Sequence, residues 1–220
     1  MRFRSIALAA LAVTSLGAQA ALTTYAPWDL VSGGGTGLAG VKFNVVSSGS
    51  VTIAMGAHAY KNGVLLPNNG VDTYYAQPGL YAPDGLNRAN WSFDFAWDLG
   101  GCTTCTVALK VDTDPTAAVN LVTLFDTAIA GTNNVLFGSA ALPDDYFQSW
   151  NMEMAFMNGA LGYNFNPFGA SSTAFSLMVT DSTGIGSATS DITVNVPEPG
   201  SLLLAGLALA GLAGVRRRKA

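Results

Sequence analysis

The segment Trp91-Ser92-Phe93-Asp94-Phe95-Ala96-Trp97-Asp98-Leu99 alternates without a break between apolar odd positions and polar or small even ones. A period of two places all four aromatics on one face of a strand, and no helix gathers them that way. Such a strand needs a second apolar layer to cover it. Shorter runs repeat the pattern: Val41 to Val45, Val51/Ile53/Met55, Val107/Leu109/Val111, Phe175/Leu177/Val179 and Ile192/Val194/Val196. Trp150, Met152, Met154 and Phe156 also read as one face of a strand. Turn chemistry punctuates these runs at Lys61-Asn62-Gly63, Asn68-Asn69-Gly70, Pro83-Asp84-Gly85 and Asn158-Gly159. The expectation is all-β: a single antiparallel β-sandwich, immunoglobulin-like or jelly-roll, over residues 21–195. Helix is scarce, and Pro115 to Ala130 is the only ambiguous stretch.

Charge narrows what such a body can meet. Of 220 residues only 11% are charged, and between Ala21 and Asn195 only Lys42, Lys61, Arg88 and Lys110 oppose thirteen carboxylates, a net of −9. A surface of that sign repels phosphate backbones, so nucleic acid is not expected as a partner. Half the residues are apolar, which excludes a disordered chain.

The two ends are different in kind. Arg2 and Arg4 precede the apolar stretch Ile6 to Leu16, and Ala18-Gln19-Ala20 forms an A-x-A site. Residues 1–20 therefore read as a signal peptide cleaved between Ala20 and Ala21. At the other end Val196-Pro197-Glu198-Pro199-Gly200 leads into Ser201 to Val215, apolar on every face, and then Arg216, Arg217, Arg218 and Lys219. As a helix, residues 200–215 span roughly 24 Å, a little less than the ~30 Å hydrocarbon core. Four bases directly after it act as a stop-transfer signal held in the cytoplasm. The expected topology has the body outside the cytoplasm, tethered by one transmembrane helix.

Residues 196–220, with Pro-Glu-Pro, a short Leu/Ala/Gly helix and a terminal Arg cluster in that order, resemble the PEP-CTERM sorting signal. Tails of this family are also labelled an ice-binding-protein C-terminal domain. The resemblance implies a Gram-negative bacterium that makes extracellular polysaccharide. It further implies an exosortase that recognises Pro197, Glu198 and Pro199 and cuts near them, releasing the body. Physically, the two prolines keep this segment extended and open to a protease. The Trp91 to Leu99 strand, the Cys-x-x-Cys after it and the strand from Ser190 to Val196 are similar, more loosely, to other bodies that carry this tail.

Candidate chemistry in the body is sparse. Cys102 and Cys105 follow Gly100-Gly101 and precede the strand Thr106 to Asp112. In an exported protein this points to a disulfide at a hairpin tip, with free thiols or redox work as alternatives. Two cysteines and the single histidine, His58, do not make a zinc site. Gly35 to Gly40 spells G-x-G-x-x-G but leads into a strand, not a helix, so it is a chance match. Asp112-Thr113-Asp114, Asp144-Asp145 and Asp181-Ser182 are loop acids, read as solvated turn residues or weak calcium ligands. Asp94 and Asp98 should face solvent, opposite the aromatics, and with Glu153 they are the acids open to glycoside hydrolysis. Tyr74, Tyr75 and Tyr81 crowd a turn-rich segment that suits a sugar-stacking loop or simple packing.

The expected function is that of a non-enzymatic surface or extracellular-matrix protein. Exosortase would process it, exopolysaccharide and biofilm are its expected setting, and no catalytic residue, metal or cofactor is expected. A secreted hydrolase or lyase acting on polysaccharide, and a carbohydrate- or calcium-dependent adhesion module, remain alternatives.

Overall fold

The computed structural model describes residues 21–24, 40–61, 64–128, 141–183, 186–198 and 200. The signal peptide, most of Gly35 to Gly40, Pro199, the apolar run from Ser201 and the basic tail lie outside the described residues. Two five-stranded sheets face one another. The first runs in the order β1 (Thr23–Thr24), β2 (Lys42–Ser48), β3 (Val51–Ala59), β7 (Trp91–Asp98), β10 (Asp145–Trp150). The second runs β4 (Thr73–Tyr75), β12 (Ala188–Val196), β11 (Ser171–Asp181), β8 (Cys105–Asp112), β9 (Leu121–Asp126). A two-stranded ribbon, β5 (Leu80–Tyr81) with β6 (Arg88–Ala89), stands apart.

The protein is mostly β, and its pairing is antiparallel throughout the two large sheets except where β4 runs parallel to β12. The sheet order is not the immunoglobulin one. There the second strand lies beside the fifth, whereas here β3, the second long strand, lies beside β7, the third.

Alternation fixes the core. Trp91, Phe93, Phe95 and Trp97 point inward and are all but fully buried. Phe93 stacks on Phe175 of the opposite sheet with ring centres 4.4 Å apart, and Phe95 and Trp97 meet Phe125 at 6.0 and 6.3 Å. Within the first sheet Trp97 stacks on Tyr146 at 4.6 Å. Rings offset or edge-on at these separations add attraction beyond the area they bury.

Two expectations are corrected and one ambiguous stretch is resolved. Trp150, Met152, Met154 and Phe156 do not form one strand face: β10 stops at Trp150, and a helix, α1, spans Ala155–Leu161. Asn151 is the cause. Its Oδ1 accepts the Glu153 N–H at 3.1 Å and the Ala89 N–H at 3.0 Å, and its Nδ2 donates to the Ala89 and Trp91 carbonyls at 2.9 and 2.7 Å. A side chain that captures the backbone two residues on turns the chain out of a ladder.

The stretch from Pro115 contains a strand, β9. Asp112 Oδ1 accepts the N–H groups of Asp114 and Asn120, closing the turn that leads into it.

The cysteines do not sit at a hairpin tip. β7 already has β3 and β10 on its two sides, so the chain must cross to the second sheet to begin β8. Gly100 and Gly101, at φ 59° and 78°, make that crossing in a conformation that a side chain would strain. Cys102 and Cys105 are bonded across it, their Cα atoms 5.6 Å apart.

Phe93→Ala should cost about 4 kcal/mol, the usual penalty for emptying a ring-sized site in a core that cannot collapse. Urea denaturation reads it as a lowered midpoint with an unchanged slope.

Candidate functional site

The outward face of the first sheet is the larger surprise. Asp94 was expected in solvent; it is fully buried, as are His58 at 2% exposure and Ser92 at 1%. The reason is a second apolar cluster on this face, formed by Val41, Phe43, Ala54, Ala96 and Phe147. The Phe43 ring lies over Gly56, where an added Cβ would stand 2.8 Å from Phe43 Cδ1, so only glycine admits that ring. Asp94 is the cross-strand partner of Gly56, so this packing closes beside its carboxylate.

His58 Nδ1 and Asp94 Oδ2 are 2.8 Å apart. Burial alone would lower the His58 pKa, but the Asp94 charge and hydrogen bond outweigh it and hold the value above 6.5. Asp94 Oδ1 finds no partner among the described residues. The pair is a buried internal contact, and Ser92 Oγ is engaged by Asn151 Nδ2 at 3.3 Å.

Asp98 is half-buried and lies directly across the ladder from Asp145, with Asp144 close enough that ligand oxygens of all three fall within 4.8 Å. Desolvation, then repulsion from Asp98 and Asp144, raises the Asp145 pKa. The N–H groups of Gly100 and Gly101 donate to Asp98 Oδ1 and Asp144 Oδ1, both at 2.8 Å, so these acids hold the crossing loop. Asp181 does the same from the other sheet. Hydrogen bonds from the Thr183 side chain and backbone and from Thr104 push its pKa down to about 2.

Glu153 is not brought to Asp94 or Asp98. Burial raises its pKa, and Arg88 donates to its backbone carbonyl rather than to its carboxylate. The three tyrosines separate as well. Tyr74 is core and donates to the Lys42 carbonyl, Tyr75 is 45% exposed on β4, and Tyr81 packs edge-on against Tyr60 at 5.5 Å. No stacking loop unites them.

The processing segment has a definite place. β12 lies inside the second sheet, between β4 and β11, and is paired to its last residue: Val196 opposes Ser171, and Asn195 opposes Ser172 and Tyr75. Asn195 O also accepts the Ala76 N–H at 2.9 Å. Val196 is buried, and Pro197 and Glu198 are exposed at once. No linker separates the ladder from the Pro-Glu-Pro segment, because Pro197 has no N–H with which to continue it. Among the described residues no helix is long and apolar enough to cross a membrane.

His58→Ala should destabilise the body by roughly 3 kcal/mol, since it strands a buried carboxylate. The pH dependence has a definite sign. The imidazole binds its proton more tightly folded than unfolded, so the contribution is complete below pH 6.5 and fades as pH rises through the higher folded value. Urea midpoints between pH 5.5 and 8.5 should fall for the parent and be flatter for His58→Ala; parallel curves would remove the pair from the account.

Residues 195–219 match the family model for the PEP-CTERM protein-sorting motif. No curated protein and no solved structure matches the chain. The motif supports export, membrane-anchored sorting toward the cell surface and processing by an exosortase.

Proposed function

We propose that this chain is a non-enzymatic protein of the bacterial surface or extracellular matrix. An exosortase detaches it from the membrane through its tail, and the freed body associates with exopolysaccharide. The observation that carries this reading is the junction at Val196, where a fully paired central strand gives way directly to exposed Pro197 and Glu198. A cut anywhere from Pro197 onward leaves every ladder bond of β12 in place, so the body survives its own release.

A non-enzymatic role is supported by where the acids lie. Asp94 is committed to His58, Asp98 faces Asp145 and Asp144 at the crossing loop, and Glu153 stands apart from both. Asp144 borders a depression of about 430 Å³ beside Leu99, Cys102 and Leu142, but no second acid among the described residues lines it, so no acid faces another across it as glycoside hydrolysis requires.

Association with sugar is supported by the outward face of the second sheet. Tyr75, Asn195 and Ser172 form one row across β4, β12 and β11, and Thr73, Thr193 and Ala174 form the next. A shallow depression of about 250 Å³ between Asp72, Asp191, Ser176 and Leu121 adjoins them. Hydroxyls, an amide and one exposed ring on a flat sheet suit a sugar polymer, and the acidic balance favours a neutral one over a uronic-acid chain.

Replacing Pro197, Glu198 and Pro199 together by alanine should leave the protein in the membrane fraction of a host that releases the parent from it. Equal release of both forms, measured by fractionation and immunoblot, would refute recognition of these residues.

A further inference from the structure

The body is polarised along its strands. At one end lie the hairpin at Gly49-Ser50, the Gly100 to Thr104 crossing and the β11–β12 turn; at the other lie the ends of β3, β8 and β12 and the starts of β2, β7 and β11. The tail leaves from the second end. Among the described residues, the first end carries Asp98, Asp126, Asp144, Asp145 and Asp181 and no lysine or arginine. The exit end carries Lys42, Lys61 and Arg88 against Asp84, Asp112, Asp114, Glu153 and Glu198, a smaller excess of acid.

Exposed apolar side chains follow the same axis. Val119, 64% exposed, sits in the loop after β8; Phe168, 58% exposed, comes three residues before β11; Leu86, 53% exposed, precedes β6. These loops are joined to the exit point. Ser172 N–H donates to Pro115 O at 3.1 Å, Gly79 N–H to Pro167 O, and Ala76 N–H to Asn195 O. Leu121 and Tyr75, also exposed, border the same end on β9 and β4. No exposed large apolar side chain among the described residues lies at the acidic end.

The chain itself says what faces this end. Val196 is the last paired residue, and the apolar run begins at Ser201. The four residues between them reach about 14 Å when fully extended. A tether of that length keeps this end of the body within about 14 Å of the hydrocarbon edge, at the headgroup layer or just outside it. We infer that the exit end of the body, through Leu86, Val119 and Phe168, rests on the bilayer interface while the tail is uncut, with the acidic end turned outward. The inference rests on the tail being a membrane anchor.

Three apolar side chains would bind a membrane weakly from solution. Held by the tether at high effective concentration, the same contact persists. Anionic headgroups repel the acidic end more strongly than the exit end, where three bases offset most of the acids, and this difference together with the apolar side chains sets the orientation. Cleavage removes the tether, and the contact lapses with it, so the released body does not stay on the membrane.

Hydrogen–deuterium exchange on the full chain in nanodiscs of mixed phosphatidylethanolamine and phosphatidylglycerol tests this, with Val119→Ser/Phe168→Ser as the comparison. A body docked nine-tenths of the time should slow amide exchange in residues 113–120 and 166–170 about tenfold in the parent relative to the variant. Residues 99–104 should exchange alike in both, and so should the amides of β7 and β11, which separates lost docking from a loosened fold. Equal exchange in nanodiscs overturns the docking and leaves the anchor intact. A parent chain that does not copurify with the nanodisc overturns the anchor instead. Slowing that needs co-reconstituted exosortase assigns this end to the enzyme and overturns the membrane contact.

Discussion

The contact on which the rest of the body depends is the column of rings along the inner face of β7. Phe93, Phe95 and Trp97 stand one above another on a single strand, with Phe175 and Phe125 closing on them from the second sheet. Because β7 is also flanked by β3 and β10, this column sets the spacing of both sheets at once. The crossing at Gly100-Gly101, the disulfide that braces it and the acids that cap its N–H groups all follow from one requirement. β7 is enclosed on both sides, and the chain must change sheets to continue. Asp98, Asp144 and Asp181 are fixtures of that crossing.

The first sheet is buried on its second face as well, and this changes what its polar residues do. On a one-sided sheet His58 and Asp94 would be solvated and interchangeable with other polar pairs. Enclosed beside the Phe43–Gly56 contact, they are held 2.8 Å apart, and each becomes costly to lose without the other. A buried ionic pair of this type adds little net stability. Its expected effect is to fix the register of β3 against β7, because a slip of one residue would move either group to the aromatic side.

How much of this the sequence discloses depends on how local the governing interaction is. The strands from Val51, Trp91, Cys105, Ser171 and Ala188 are legible because a half-buried strand writes a period of two into its own residues. The Trp150 to Phe156 reading fails because Asn151 ends the strand through bonds to Ala89 and Trp91, about sixty residues away, which no local pattern records. The burial of Asp94 was hidden for a similar reason: alternation says which side chains share a face and nothing about whether that face is covered. The signal in hindsight was Phe43 and Phe147, large apolar residues with no place in the inter-sheet core. The processing segment is the opposite case. Pro-Glu-Pro, an apolar run and a basic cluster carry their chemistry in linear order, so Pro197, Glu198 and Pro199 are legible without a fold. What the fold adds is that β12 runs without slack into them.

The central claim is that the body is built to be released at that junction, and the intact mass of the protein recovered from its host tests it most directly. With the host's exosortase present, the account predicts a species that begins at Ala21, ends between Pro197 and Gly200 and weighs two hydrogen atoms less than the reduced chain; with the enzyme deleted, that species disappears. A chain that still ends at Ala220 in both strains would contradict the account and make the tail a permanent anchor.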